Sequence, residues 1–371
     1  MRIKPTLPLV LLLATLSACK SGTDQTDAFG GIILYAPLHD GDPTDKPRRA
    51  DVIESIDTIQ LQGSVQESFI DHINDVRMTS DMIFILSADV INIFDHDGTH
   101  LRKIQRKGRG PGEYISLTAF DILEDQRLIY VLDQQSQQVI IYDFDGQFVR
   151  RFPVNSWGVY DMAVLPGGHL LLLNLMDERS ETRGLYETDE NGQFVRQLFS
   201  IPPEYGHIVY GSKFLTHISD SVIGCNGLED NGYIYHYQND TLVPLYKVKT
   251  DIVMPDYVMQ GQRPLPPDEG YYKIQYWETP RFMGFTLVSE ELFTFVMYDH
   301  KTGQQTNYYK DELMTPRTDL DFVPSFSHCY KNKLINEFTY DMLLQAEPLK
   351  AQFPGLTEDT NPALIIFNLK Q

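Results

Sequence analysis

The chain has 371 residues and carries 51 Asp and Glu against 31 Lys and Arg, a formal net charge of −20 at pH 7. A surface this acidic repels phosphate backbones, which excludes nucleic acid as a partner. Three cysteines without a CxxC pair or Cys/His cluster give no zinc site; Cys225 and Cys329 either pair in an oxidising compartment or are two buried thiols, the second reading being preferred.

Arg2 and Lys4 precede an apolar run from Leu7 to Leu16, and Leu16-Ser17-Ala18-Cys19 closes it. A charged start, a short apolar stretch and a small-residue cleavage point read as a signal peptide over residues 1–18. The run is too short to span a bilayer comfortably. Cys19 at the cleavage point resembles the modified cysteine of the bacterial lipobox, and the resemblance implies acyl chains on Cys19 that hold the chain to a membrane. Residues 19–49 are rich in Gly, Pro and Asp and show no sustained periodicity, so a flexible tether is expected there. Residues 50–371 are expected to form one closed all-β domain.

Within that domain, short apolar runs such as Met82–Leu86, Leu128–Leu132 and Leu170–Leu173 are bounded by Gly, Asp, Asn or Pro, as strands of an all-β fold are. Three stretches repeat one design. Ile93-Phe94-Asp95-His96-Asp97-Gly98, Ile141-Tyr142-Asp143-Phe144-Asp145-Gly146 and Tyr186-Glu187-Thr188-Asp189-Glu190-Asn191-Gly192 each end in a tight turn, and Arg102, Arg150 and Arg196 follow the glycines by four positions. The glycines are 48 and then 46 residues apart. A strand, an Asp/Asn-Gly turn and a strand at a period of about 40 to 50 residues are the signature of a β-propeller blade. Weaker copies of the turn stand at Asn239-Asp240 and at Gly303, and a sixth unit uses the segment after Phe322 with the strand Ala363–Phe367. The strand Ile53–Leu61 has no blade of its own and is predicted to complete the last one, removing an exposed sheet edge. A short helix is expected around Asp341–Lys350.

The run Ile104-Gln105-Arg106-Lys107-Gly108-Arg109-Gly110-Pro111-Gly112-Glu113-Tyr114 resembles a signature of the six-bladed β-propeller lipoproteins common in Bacteroidota, relatives of the NHL-repeat propellers. The resemblance extends over residues 50–371 and is strongest between 73 and 200. It implies six four-stranded antiparallel blades and an outer-membrane lipoprotein facing the periplasm or the exterior. It assigns no activity, although related propellers include lactonase-type and lyase enzymes.

Four groups of residues are candidates for chemistry. Asp75, Asp121 and Asp161 precede the turn glycines by 23, 25 and 31 residues, which places them at the entries of the innermost strands, around one mouth of the channel. Three carboxylates there require a cation, a basic side chain or backbone N–H groups to offset them; convergent oxygens suit Ca²⁺ or Mg²⁺, while separate capping of local backbone is the structural reading. Arg106, Lys107 and Arg109 form a basic spot on a Gly-rich loop, either an anion cradle or an inter-blade turn. Tyr271, Tyr272, Tyr276 and Trp277 are ligand-stacking candidates or the aromatic side of a strand. The Asp-x-Asp-Gly turns lack the acidic twelfth residue of a calcium loop and are read as hairpin scaffolding. No Gly-x-Ser-x-Gly or HExxH occurs, and His207, His217 and His328 are scattered. Two functions follow: a lipid-anchored binding or interaction module for a glycan, another nutrient or an envelope protein; or a metal-assisted hydrolase or lyase centred on the three aspartates.

Overall fold

The computed structural model describes residues 29–36, 49–63, 68–177, 180–202, 213–226, 232–251, 272–288, 293–310, 328–345 and 351–371. The expected signal peptide, Cys19, His207 and Tyr271 lie outside them. Residues Ile32–Gln371 form one compact unit.

Strand β1 (Ile32–Ala36) and a short helix (Arg49–Val52) precede β2 (Ile53–Gln60). Blade 1 is β3 (Asp75–Met78), β4 (Ile83–Ser87), β5 (Val90–Phe94) and β6 (His100–Ile104). Blade 2 is β7 (Leu117–Leu123), β8 (Leu128–Asp133), β9 (Gln138–Asp143) and β10 (Phe148–Pro153). Blade 3 is β11 (Val159–Val164), β12 (Leu170–Asn174), β13 (Gly184–Thr188) and β14 (Phe194–Ser200). Blade 4 is β15 (Leu215–Ser219), β16 (Val222–Cys225), β17 (Tyr233–Gln238) and β18 (Thr241–Thr250). Blade 5 is β19 (Tyr272–Glu278), β20 (Phe282–Val288), β21 (Phe293–Asp299) and β22 (Gln304–Lys310). Blade 6 joins β23 (His328–Tyr330), β24 (Lys333–Phe338) and β25 (Ala363–Leu369) to β2. The result is the six-bladed antiparallel propeller expected, with β2 antiparallel to β25 from Ile53↔Leu369 to Gln60↔Ala363, so both ends of the domain build one blade.

Residues 32–36 are a correction to the expected tether. Strand β1 pairs in parallel with β18, Ile32↔Tyr246 to Ala36↔Thr250, as a fifth strand on blade 4. Its alternation decides its packing: Leu34 and Ala36 are buried in the blade 4–5 core, while Ile33 and Tyr35 face outward. Gln305 and Asn307 on β22 donate to the Tyr35 carbonyl at 2.5 and 3.0 Å, which fastens the strand to blade 5. The expected helix is Tyr340–Gln345, and residues 346–350 are not described.

The repeated turns are scaffolding. Asp95 Oδ1 accepts from the N–H groups of Asp97 (3.0 Å) and Thr99 (2.8 Å), and Asp189 does the same for Asn191 (2.9 Å) and Gln193 (2.8 Å). The blade 4 copy turns through Asn239 and Asp240, both at positive φ (49° and 58°), a two-residue hairpin built without glycine. The arginines four residues on tie each outer strand to the next blade. Arg102 donates to Phe144 O (3.1 Å) and pairs with Asp145; Arg150 donates to Asn191 Oδ1 (3.4 Å); Arg196 reaches Tyr237 (3.2 Å) and Asp240 (3.6 Å).

Candidate functional site

The first strands of the blades line the axis, and the channel they enclose is closed by side chains. Arg77, two residues into β3, is 2 % exposed. Its Nη1 donates to Asp75 Oδ1 (2.6 Å) and its Nε to Asp121 Oδ1 (2.8 Å), while Phe120 and Tyr330 flank the guanidinium at 5.3 and 5.4 Å. The other Asp121 oxygen accepts from Val164 N–H (2.7 Å) and lies 2.6 Å from His217 Nε2. Lys331 N–H donates to His217 O (2.9 Å), and the His217 and Tyr330 rings meet edge to face. Blades 1, 2, 3, 4 and 6 therefore each place a group in one axial plug. Burial alone would raise the Asp121 carboxyl, but His217 and Arg77 outweigh it and hold it far below the ordinary carboxylate range.

Above the plug sits a second charge cluster. Lys213 Nζ lies 2.9 Å from Asp161 Oδ1 and 3.2 Å from Asp75 Oδ2. Asp161 Oδ2 accepts from Phe214 and Leu215 N–H, both at 2.9 Å, and its Oδ1 accepts from Met162 N–H. Asp75 Oδ1 accepts from Val76 N–H at 2.9 Å. Burial would raise the Asp75 carboxyl; Arg77 and Lys213 reverse that and lower it. Lys213 is raised: burial disfavours its charge, and Asp161 and Asp75 more than restore it. A cavity of about 160 Å³ opens here, walled by Asn74, Thr118 and Tyr160 with Asp75, Asp161 and Lys213. Since Arg77 and Asp121 close the axis beneath it, the cavity is a blind pocket at the channel mouth.

The three aspartates thus do not form one ring. Asp75 and Asp161 share a level, but Asp121 lies deeper, where its carboxylate meets the Arg77 guanidinium, two residues beyond Asp75 on β3, and the Val164 N–H, three residues beyond Asp161 on β11. Sequence spacing to the turn glycine misplaces it because the blades differ in loop length. Every carboxylate is offset by a basic side chain or by N–H groups, and the Lys213 ammonium stands where a shared Ca²⁺ or Mg²⁺ would sit, so this donor set does not fit a divalent metal. Nothing local in the sequence singles out Lys213, because its two partners lie 52 and 138 residues away.

In the basic loop, Arg106 donates to Gly146 O (3.0 Å) and Lys107 pairs with Asp89 (2.6 Å). Arg109 is exposed, and Glu113 Oε2 accepts from Gly110 N–H at 2.7 Å. The carboxylate fills the loop's interior where an anion would lie, so the segment is an inter-blade turn. The stacking candidates are corrected too. Trp277 and Tyr276 are 1 % and 6 % exposed, part of the core between blades, and present no face to a ligand. Tyr272 belongs to β19, and its side chain is not described. Tyr276 and Tyr246 donate to the buried Glu278 carboxylate, the latter at 2.5 Å, with His236 Nε2 at 2.8 Å and His300 Nε2 at 3.2 Å. Burial pushes that carboxyl up, yet the histidine contacts bring it down to about 2. Cys225 and Cys329 are free thiols; burial pushes Cys329 up to about 12 and Cys225 higher still, which makes both inert.

A family model described as a domain of unknown function, DUF4934, matches residues 43–368. No curated protein matches the chain. Among solved structures, one of a Bacteroides fragilis protein assigned as exported covers 91 % of this chain and 100 % of its own, at 17 % identity and a TM-score of 0.72. A Bacteroides vulgatus member of the family DUF4221 covers 86 % of this chain and 97 % of its own, at 10 % identity and a TM-score of 0.50. At these identities the likeness concerns the fold.

Proposed function

We propose, for a chain that belongs to the domain-of-unknown-function family DUF4934, a role as a binding module of the cell envelope whose site is the blind pocket at the channel mouth. One observation carries the reading: Lys213 is held between Asp75 and Asp161 in the wall of the cavity, so a small pocket arrives pre-formed with its donors fixed. Pre-organisation of this kind lowers the ordering cost of binding. A cavity of about 160 Å³ admits only a small polar group, such as the end of a glycan, another nutrient or a side chain of an envelope protein. The exported relative and the signal-like N-terminus support an envelope location. On the same reading Cys19 is acylated and the protein is an outer-membrane lipoprotein, facing the periplasm or the exterior.

The rival, a metal-assisted hydrolase or lyase, needs carboxylate oxygens open to a cation and a water. Here Lys213, Arg77, His217 and backbone N–H groups take those oxygens up, so the geometry favours binding over catalysis.

A thermal-shift screen of small polar molecules, followed by calorimetric titration, tests the site. The expected ligand raises the melting temperature of the native protein, and its affinity falls at least tenfold in Lys213→Met. A ligand indifferent to Lys213→Met and to Thr118→Trp, which fills the pocket, would place binding elsewhere. Metabolic labelling with an alkynyl fatty acid tests the anchor, and label that persists in Cys19→Ala would remove it.

A further inference from the structure

A larger cleft lies between blades 5 and 6, on the face opposite the channel mouth, at the ends of β19 and β21. Its volume is about 490 Å³, within the range of small-molecule sites. Its walls are turns fixed by hydrogen bonds. Arg281 Nη2 and Nε reach Asp299 Oδ2 and Oδ1 at 3.0 and 3.3 Å, and His300 N–H donates back to Arg281 O at 2.8 Å. Asp299 Oδ1 also accepts from Lys301 N–H at 2.8 Å, and on the far side Lys370 N–H donates to Val52 O at 2.9 Å. The floor is apolar, made of Val52, Phe282 and Met297, with the Arg281 guanidinium lying over the Phe282 ring at 4.7 Å.

The charges of the lining cancel. Two cations, Arg281 and Lys370, face two carboxylates, Asp51 and Asp299, and the Arg281–Asp299 pair neutralises itself. An anion or a metal ion entering the cleft would have to compete with that pair, and neither gains a net field of opposite sign. A neutral ligand needs no such exchange. It meets planar donors and acceptors already held in place, three further polar side chains, Thr302, Gln304 and Thr306, and an apolar floor. That combination matches a molecule that is neutral, dense in hydroxyl groups and bears a C–H face. We propose that this cleft is a second binding site, distinct from the channel mouth, and that it takes a neutral saccharide. The cleft has room for about one or two sugar rings. The proposal stands independently of the mouth pocket, which uses none of these residues.

The experiment uses the full chain on an array of neutral, sialylated and sulfated glycans, with calorimetric titration of the strongest neutral glycan. Thr306→Trp fills the cleft from β22 without changing charge, and Arg281→Met removes the planar donors. We expect a neutral glycan to bind and its Kd to rise at least tenfold in both variants. Binding of no neutral glycan, binding of charged glycans alone, or a Kd unmoved by Thr306→Trp overturns the proposal. Should Thr306→Trp fail to fold, Gln304→Trp, at an exposed position on the same strand, makes the same test.

Discussion

Arg77 and Arg102 both pair with an aspartate of the next blade, and what surrounds them decides their worth. Arg102 and Asp145 are 32 % and 75 % exposed, so Arg102→Ala is expected to cost under about 1 kcal/mol in urea unfolding. Asp121 is fully buried, and Asp121→Ala leaves the Arg77 guanidinium short of a partner where water cannot replace it. A loss of about 3–5 kcal/mol is expected, and a loss below about 1 kcal/mol would mean the plug does not hold the ring. Acid should act through two other residues. Burial holds His328 at about 4 against an ordinary 6.5, despite the pull of Asp75, so its unfolded form takes up a proton first and stability falls between pH 6.5 and 4. Glu278, at about 2 against 4.5, stabilises the fold fully above pH 4.5 and loses that contribution as pH falls towards 2. Urea denaturation stepped through pH should show both phases, with His328→Gln flattening the upper and Glu278→Gln the lower; a native profile level from pH 6.5 to 4 contradicts the first. These contacts were illegible in the sequence, because Asp121 and His217 are 96 residues apart and their pairing depends on ring closure.

Elements with a strong period were legible, and those defined by what they pack against were not. The hairpin turns announced themselves because Asp and Gly at those positions have a local job. Strand β1 is an apolar run of five residues inside a Gly- and Pro-rich stretch, and only the open edge of β18 gives it a partner. A chain begun at residue 29 should melt with the native one, whereas one begun at residue 37 should melt lower and bind a hydrophobic dye at the uncovered core. Leu34→Ala, at 0 % exposure, should cost about 2–5 kcal/mol on the same grounds, measured by urea unfolding. Trp277 was open to two readings for a related reason: an aromatic run suits a strand as well as a binding loop, and it lies in β19. Its ring packs so closely on Gly284 that any Cβ there would overlap it. Gly284→Ala should therefore displace Trp277 and red-shift its fluorescence, and an unchanged spectrum would show that the contact is loose.

At the scale of the whole molecule, the ring closes by joining its ends, β2 to β25. A chain begun at residue 62 lacks the outer strand of blade 6 and exposes the β25 edge, so it is expected to aggregate or to lose its single cooperative transition. Closure also explains why the blade count was legible while the axis was not: repeats report what each blade does alone, and the axis is where blades cease to be equivalent. That inequality bears on how such chains can diverge. Propellers built of interchangeable units can gain or lose one by duplication or deletion of a repeat. Here Asp121 draws its partners from blades 1, 3 and 4, and Arg77 and His217 share Tyr330 of blade 6. Inserting or removing a unit would strand a buried charge, so the axial network fixes the number of repeats and leaves loops and outer strands as the places where inherited variation can accumulate.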